Sequence, residues 1–103
     1  MTPEKKVQNA IIKYLHSLEK AGLPIFFERR QAGGFSYKNG IADIYVVYDG
    51  IHIELEIKEE DGERSVMQEK WESICNSKNI LYICAYSVED VKISMKKWFN
   101  INM

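Results

Sequence analysis

One acidic residue, Asp43, and one acidic-x-basic triplet, Glu56-Ile57-Lys58, are the parts of this sequence whose residue types suit chemistry on a phosphate ester. Hard cations such as Mg²⁺ take oxygen ligands from one or two carboxylates and leave other positions to water and phosphate oxygens. A nearby lysine ammonium group can orient an attacking water or stabilise charge on a phosphoryl group. This chemistry requires a fold that brings the three side chains to one surface.

The segments that carry these residues predict a β-hairpin. Residues 41–48 and 51–58 are rich in β-branched and aromatic side chains, and Asp49-Gly50 between them is typical of a two-residue type I′ turn. Such a turn sets the register and places the following residues opposite one another: Tyr48 and Ile51, Val47 and His52, Tyr45 and Glu54, Asp43 and Glu56, and Ile41 and Lys58.

Alternation along the two strands predicts one apolar face and one polar face. The apolar face is expected to be core and consists of Ala42, Ile44, Val46, Tyr48, Ile51, Ile53, Leu55 and Ile57. The polar face carries Asp43, Glu54, Glu56 and Lys58. Directly opposed carboxylates have β-carbons about 5 Å apart and repel, so a raised pKa, a basic neighbour or a divalent cation must offset the repulsion. We favour the cation, and Glu54 could replace one of the ligands because it shares the face.

These residues resemble the PD-(D/E)XK nuclease signature, in which an acid on one strand and an acidic-x-Lys on the next form the site. Gly40-Ile-Ala-Asp43, the Glu-x-Lys strand and Arg64-Ser-Val-Met-Gln68 resemble the virus-type replication-repair nuclease domain (VRR-NUC) in its stand-alone form. The resemblance runs from Glu4 to about Tyr86, with Ala42 where the superfamily name has proline. It implies a restriction-endonuclease-like core and a Mg²⁺-dependent or Mn²⁺-dependent endonuclease that cuts DNA, in particular branched DNA such as a Holliday junction.

The resemblance also implies a role for each site residue. Asp43 and Glu56 would hold the metal, with Glu4 and the carbonyl of Ile57 as further ligands. Lys58 would act on the water or the phosphoryl group, and Gln68 would position one of them. Two simpler interpretations stay open: Glu4 as a first-turn glutamate stabilised by the helix dipole, and Gln68 as the partner of Ser65 in a capping box.

A candidate nucleic-acid surface precedes the hairpin. Thr2-Pro3 begins a helix that Gly22 ends, residues 24–31 predict a strand, and a glycine-rich loop then leads to Asp43. Cations and aromatic stacking surfaces for DNA would come from Arg29, Arg30, Lys38 and Tyr37. The alternative is an ordinary solvated loop.

The remaining segments complete an α/β sandwich around a mixed sheet, in the order α-β-β-β-α-β-α. A helix begins at Ser65 and is expected to bury Met67, Trp71, Ile74 and Cys75. The apolar run 80–86 predicts a central strand covered on both faces, parallel to the Glu56 strand. The segment Ser87-Val-Glu-Asp90 is expected to cap a last helix, and the apolar tail 101–103 is either core or a dimer contact.

Length, charge and composition limit the classes of function that the chain can have. The 103 residues predict one domain, 1–103, and the net charge of −1 lacks the strongly basic balance of proteins that bind DNA by bulk electrostatics. No signal peptide or membrane span is predicted, so we expect a cytoplasmic protein (in the host cell if viral, for example from a phage), with reduced Cys75 and Cys84. Cutting both strands of a four-way junction with one site per chain implies a homodimer.

Two other functions were weighed against the nuclease. A non-catalytic DNA-binding or protein-interaction module could retain the fold, with Asp43 and Glu56 as relics or partner-facing charges. A small-molecule hydrolase is disfavoured because the sequence offers no Ser-His or Cys-His pairing.

Overall fold

The structure, a computed structural model, describes residues 1–30 and 41–103. In chain order the elements are α1 (Pro3–Lys20), β1 (Ile25–Arg29), β2 (Ile44–Tyr48), β3 (Ile51–Ile57), α2 (Val66–Ser77), β4 (Leu81–Ala85) and α3 (Val88–Phe99). This confirms the predicted order of elements and the α/β class. None of the helices in these two ranges has the length and apolar character needed to cross a membrane.

The four strands form one mixed sheet in the order β1-β2-β3-β4. β1 pairs with β2 and β2 with β3 in antiparallel fashion, whereas β3 pairs with β4 in parallel, as expected for a crossover through α2. The prediction that 80–86 is a central strand is wrong, because β4 lies at an edge of this sheet. Its apolar character instead follows from α2 and α3, which both pack against it.

The tight turn of the hairpin is confirmed. Asp49 and Gly50 both have positive φ, 50° and 83°, as a type I′ turn requires. The register also agrees with the prediction at three positions: Tyr48 pairs with Ile51, Val47 with His52, and Tyr45 with Glu54.

The open end of the hairpin differs from the prediction. The ladder ends at Ile44 and Leu55, so the predicted pairs of Asp43 with Glu56 and of Ile41 with Lys58 are not part of it. The physical reason is that Asp43 Oδ2 accepts a hydrogen bond from the Ile57 N–H at 2.8 Å. The carboxylate therefore takes the place of a main-chain acceptor, and the ladder ends at this point.

The core lies between one face of the sheet and the helices α1 and α3. Its residues include Ile11, Leu15, Leu18, Ile44, Val46, Ile53, Leu55, Ile57, Ile83, Ala85, Val91 and Met95. Two residues of the predicted apolar face are less buried: Tyr48 is half-buried and Ile51 is 46% exposed, because both flank the turn at the tip of the hairpin. In the tail, Ile101 is core and Met103 is exposed.

The helix α2 covers the other face of the sheet through a narrow stripe. Cys75 is fully buried and Trp71 is half-buried, but Met67 and Ile74 are exposed, so the predicted four-residue stripe is wrong at two positions. Trp71 of this helix donates from Nε1 to the buried Glu54 carboxylate at 3.1 Å, and Glu72 accepts a hydrogen bond from Arg64 at 2.6 Å. Polar contacts therefore replace part of the apolar packing.

The last helix begins differently from the prediction. Ser87 occupies the N-cap position, but its side chain makes no capping hydrogen bond. Asp90, the last residue of the predicted capping segment and part of the first turn, accepts a hydrogen bond at its Oδ2 from the Tyr86 N–H at 2.8 Å.

Candidate active site

Asp43 lies where β1, β2 and β3 meet at the open end of the hairpin. Its carbonyl accepts the Arg30 N–H at 2.8 Å, and its carboxylate accepts the Ile57 N–H at the same distance. Both contacts use main-chain donors of neighbouring strands, so the position of the carboxylate is determined by the sheet itself. The side chain is half-buried, which leaves part of the carboxylate accessible to solvent.

The pKa of Asp43 is raised above its ordinary value, chiefly by burial. The hydrogen bond from Ile57 lowers the pKa, the charge of Glu56 raises it and the charge of Lys58 lowers it. The two charged groups act on Asp43 only because they are near it. The fold thus brings together Asp43 and the Glu56-Ile57-Lys58 triplet, the residues whose types suit chemistry on a phosphate ester.

Glu56 is fully buried, which the sequence did not indicate. Its Oε1 accepts hydrogen bonds from Arg64 Nη2 at 3.1 Å and from the Tyr82 hydroxyl, and its Oε2 accepts one from Arg64 Nε at 3.2 Å. Cys84 Sγ lies 3.7 Å from Oε2. Burying a carboxylate is costly unless it is paired and hydrogen-bonded, and Arg64 meets both conditions.

Sequence reasoning did not single out Arg64, although the residue stands in the segment that carries the family resemblance. Its Nη1 also donates to Glu72 Oε1 at 2.6 Å, and its guanidinium carbon lies 5.8 Å from the centroid of the Tyr82 ring. The hydrogen bonds to Glu56 and Glu72 raise the pKa of Arg64 further above its usual range. A single arginine in a polar turn gives no sequence signal for such a role.

Ile57 is the last residue of β3, and Lys58 follows it. The Ile57 side chain is core, and its N–H is the donor to Asp43. The Lys58 N–H donates to the Ala85 carbonyl at 2.9 Å, so the main chain of Lys58 is held by β4. Its side chain is half-buried and carries the positive charge that acts on Asp43.

Asp43 and Glu56 supply the donor chemistry that a hard divalent cation needs. One or two carboxylates are the usual protein contribution to a Mg²⁺ site, so the donor types suit such an ion, although Arg64 binds both oxygens of Glu56 in this structure. Glu4, in the first turn of α1, is exposed. Within residues 1–30 and 41–103, no group of three or more His, Cys, Asp or Glu side chains is arranged to hold a metal. The ligand roles of Glu4 and of the Ile57 carbonyl stay predictions.

Glu54 has a separate set of partners on the same face. Its two oxygens accept hydrogen bonds from Arg30 Nη1 at 2.6 Å and Nη2 at 2.8 Å, a bidentate pair, and Oε1 also accepts one from Trp71 Nε1 at 3.1 Å. His52 Nε2 contacts the other oxygen. This carboxylate is 1% exposed and surrounded by donors, which favours a structural role over metal binding.

The charge of Glu54 predicts an acid-sensitive contribution to stability. Burial raises the pKa of this carboxyl, but the hydrogen bonds from Arg30, His52 and Trp71 outweigh burial and hold the pKa below its ordinary value. A group whose pKa is lowered on folding stabilises the protein above its unfolded pKa, and this stabilisation is lost as pH falls through the folded value.

We therefore expect Glu54→Gln to lose about 2 kcal/mol of unfolding free energy at pH 7, the order of a hydrogen-bonded charge. The deficit should shrink as pH falls below the ordinary range of a glutamate, because the wild-type carboxyl then becomes neutral as well. Urea unfolding of both proteins from pH 7 to pH 3 measures this difference. A deficit that is constant over the whole range would contradict the assignment.

Gln68 forms the predicted capping box at the start of α2. The Ser65 N–H donates to Gln68 Oε1 at 2.9 Å, and the Gln68 N–H donates to Ser65 Oγ at 3.1 Å. The Gln68 carbonyl also lies 3.5 Å from Arg64 Nη2. The contacts of Gln68 are thus those of the predicted capping box, and a role in catalysis stays a prediction.

The four candidate DNA-binding residues differ in their surroundings. Arg29, the last residue of β1, is exposed. Arg30 is engaged with Glu54 and also donates from Nη1 to the Ala42 carbonyl at 3.0 Å, and its guanidinium carbon lies 5.3 Å from the Tyr45 ring centroid. Tyr37 and Lys38 lie outside the described residues.

Comparison with known proteins establishes the class of fold. No protein-family profile matches the sequence, and no curated protein matches it. A solved structure described as "VRR_NUC domain" matches with a TM-score of 0.77 at 15% identity, over 96% of this chain and 100% of that chain. The chain therefore has the VRR_NUC fold over nearly its whole length, which confirms the predicted resemblance at the level of fold.

Proposed function

We propose that this chain is a metal-dependent DNA endonuclease of the VRR-NUC type. The observation that carries the proposal is the position of Asp43, Glu56 and Lys58, which meet at the open end of the hairpin within a VRR_NUC fold. Fold alone does not imply function, so the proposal depends on these side chains. Two acids and an amine at one strand end suit hydrolysis of a phosphodiester bond.

In the proposed mechanism Asp43 and Glu56 hold Mg²⁺ or Mn²⁺, with Glu4 and the Ile57 carbonyl as further ligands. Such an ion, when bound, neutralises charge on a phosphate oxygen and lowers the pKa of a water. Lys58 orients the attacking water or stabilises the charge that develops on the phosphoryl group. Asp43 is suited to its role because two main-chain contacts position it.

The preferred substrate in this proposal is branched DNA, and the active form is a homodimer. Both follow from the resemblance to stand-alone VRR-NUC domains, because a four-way junction has two strands to cut. Arg29, Arg30, Tyr37 and Lys38 would contact the DNA backbone, with Arg29 the exposed cation next to the site. A net charge of −1 makes such local cations necessary.

A nicking assay tests this function. The wild-type protein is incubated with a labelled four-way junction, a linear duplex and single strands, each with Mg²⁺, Mn²⁺ or EDTA. We expect cutting with either metal, none with EDTA, and the fastest cutting on the junction. Cutting that persists in EDTA would contradict the metal requirement, and equal rates on all substrates would contradict the preference for branched DNA.

The second candidate is a non-catalytic module. It is favoured by the Arg64–Glu56 pair, since a carboxylate neutralised by an arginine needs no metal. No cutting of any substrate, together with no heat of Mn²⁺ binding in calorimetry, would favour this candidate.

The capping box gives a way to separate the two roles of Gln68. We expect Ser65→Ala and Gln68→Ala each to lose about 1 kcal/mol of unfolding free energy, because each removes one arm of the box. If Gln68 also positions Lys58 or the water, only Gln68→Ala slows junction cutting beyond the shared loss of stability. Equal cutting rates for the two variants would show that Gln68 acts only in the capping box.

A further inference from the structure

Arg64 binds the buried carboxylate that the proposed function assigns to the metal. Its Nε and Nη2 donate to the two oxygens of Glu56, which is fully buried, whereas 18% of the Arg64 side chain is exposed. A divalent ion binding Glu56 requires the same oxygens. Arginine and ion therefore compete for one carboxylate.

The contacts of Arg64 offer the guanidinium a second place. Nη1 donates to Glu72 Oε1 at 2.6 Å, and the Glu72 side chain is 33% exposed. An arginine that leaves Glu56 can keep this shorter contact on α2 and turn its other N–H groups towards solvent. The cost of release is thus lower than for an arginine held by a single partner.

The second arginine–carboxylate pair on this face differs in its surroundings. Each acid would keep other donors if its arginine left: Trp71 and His52 for Glu54, and the Tyr82 hydroxyl for Glu56. Glu56 is the acid whose charge acts on Asp43, a second carboxylate. Neighbouring acids are stabilised by positive partners, and here Arg64 is hydrogen-bonded to Glu56 while the charge of Lys58 acts on Asp43.

We propose that Arg64 is an internal cation that occupies Glu56 until a divalent ion displaces it onto Glu72, and that this exchange sets the affinity of the site for the ion. The proposal rests on the proposed function, because it takes Glu56 as a ligand. It predicts that loss of Arg64 strengthens metal binding. A purely structural arginine would have the opposite effect, since its loss would disorder the site.

Calorimetric titration with Mn²⁺ alone, without DNA, tests the exchange. We expect Arg64→Gln to bind Mn²⁺ roughly tenfold more tightly than wild type, because the ion no longer competes with a charged hydrogen-bond partner. Lys70→Gln is the matched control: it removes the same charge from an exposed position on α2, and its affinity should equal that of wild type. Without metal, Arg64→Gln should unfold at a lower temperature than wild type, and Mn²⁺ should raise its unfolding temperature by more.

Glu72→Gln provides a test of opposite sign at a partly exposed position. It removes the alternative partner, so Arg64 stays on Glu56 and Mn²⁺ binds more weakly than to wild type. This variant also keeps the proposal testable if Arg64→Gln does not fold, and Arg64→Lys, which retains a charge but loses the bidentate fork, should lie between Arg64→Gln and wild type.

The outcomes separate the two proposals. If wild type binds Mn²⁺ and neither Arg64→Gln nor Arg64→Lys binds more tightly, the exchange is overturned and the proposed function stands. If neither wild type nor any Arg64 variant binds Mn²⁺, Glu56 is not a ligand, and the metal-dependent function fails together with the exchange.

Discussion

Lys58→Ala should reduce the rate of metal-dependent junction cutting by about 10²–10³-fold while the protein remains folded. The removal of one group that stabilises transition-state charge has an effect of this size. The fold should tolerate the change, because the structural contact of Lys58 is its main-chain N–H to Ala85, which alanine retains. Single-turnover cutting with Mg²⁺, compared with wild type, measures the effect.

Two controls make the Lys58 result specific. Lys78→Ala removes an equivalent charge from an exposed residue at the end of α2, and it should cut at the wild-type rate. Thermal unfolding should place Lys58→Ala close to wild type, since the side chain is only half-buried. If Lys58→Ala cuts as fast as Lys78→Ala, Lys58 has no part in the reaction.

Arg30→Ala should destabilise the protein by about 3 kcal/mol, because it leaves the buried Glu54 carboxylate without its bidentate partner. For a chain of this size the midpoint of thermal unfolding should fall by roughly 10–20 °C. Urea unfolding gives the free energy. The double variant Arg30→Met with Glu54→Leu should recover much of the loss, because apolar side chains of similar volume need no charge partner.

Arg29→Ala is the matched control for this prediction. It removes the neighbouring arginine, which is exposed, and should leave the unfolding free energy within about 0.5 kcal/mol of wild type. If Arg29 contacts a phosphate, the same variant should weaken DNA binding. The slope of log affinity against log salt concentration should then become shallower by about 1. Equal stability of Arg30→Ala and Arg29→Ala would show that the buried pair contributes little.

The hairpin could be predicted from the sequence because its determinants are local. Asp49-Gly50 specifies the turn, and the turn specifies which residues face each other. The same local reasoning found Ser65 and Gln68, whose capping box is complete. Elements with strong short-range signals were therefore correct in order, type and approximate extent.

The burial of the polar face could not be predicted, because it depends on contacts distant in sequence. Glu54 and Glu56 alternate with apolar residues and so suggest a solvated face, yet both are buried under α2 and paired with arginines. Only the three-dimensional position of Arg30 and Arg64 reveals these partners. The same cause explains the exposed Met67: a helix packed on paired charges needs fewer apolar contacts than the periodicity suggested.

The tight turn at Asp49-Gly50 has a consequence for the order of folding. The strand that follows Asp43 and the strand that carries Glu56 are joined by two residues, so their pairing closes a very short loop and has a small entropic cost. The arginines belong to segments that must be brought in from elsewhere. We expect Val46→Ala, in the hairpin, to have a higher φ-value than Met95→Ala in α3, as measured by stopped-flow folding and unfolding rates. The carboxylates of Glu54 and Glu56 would then be in place, still hydrated, before Arg30 and Arg64 bind them.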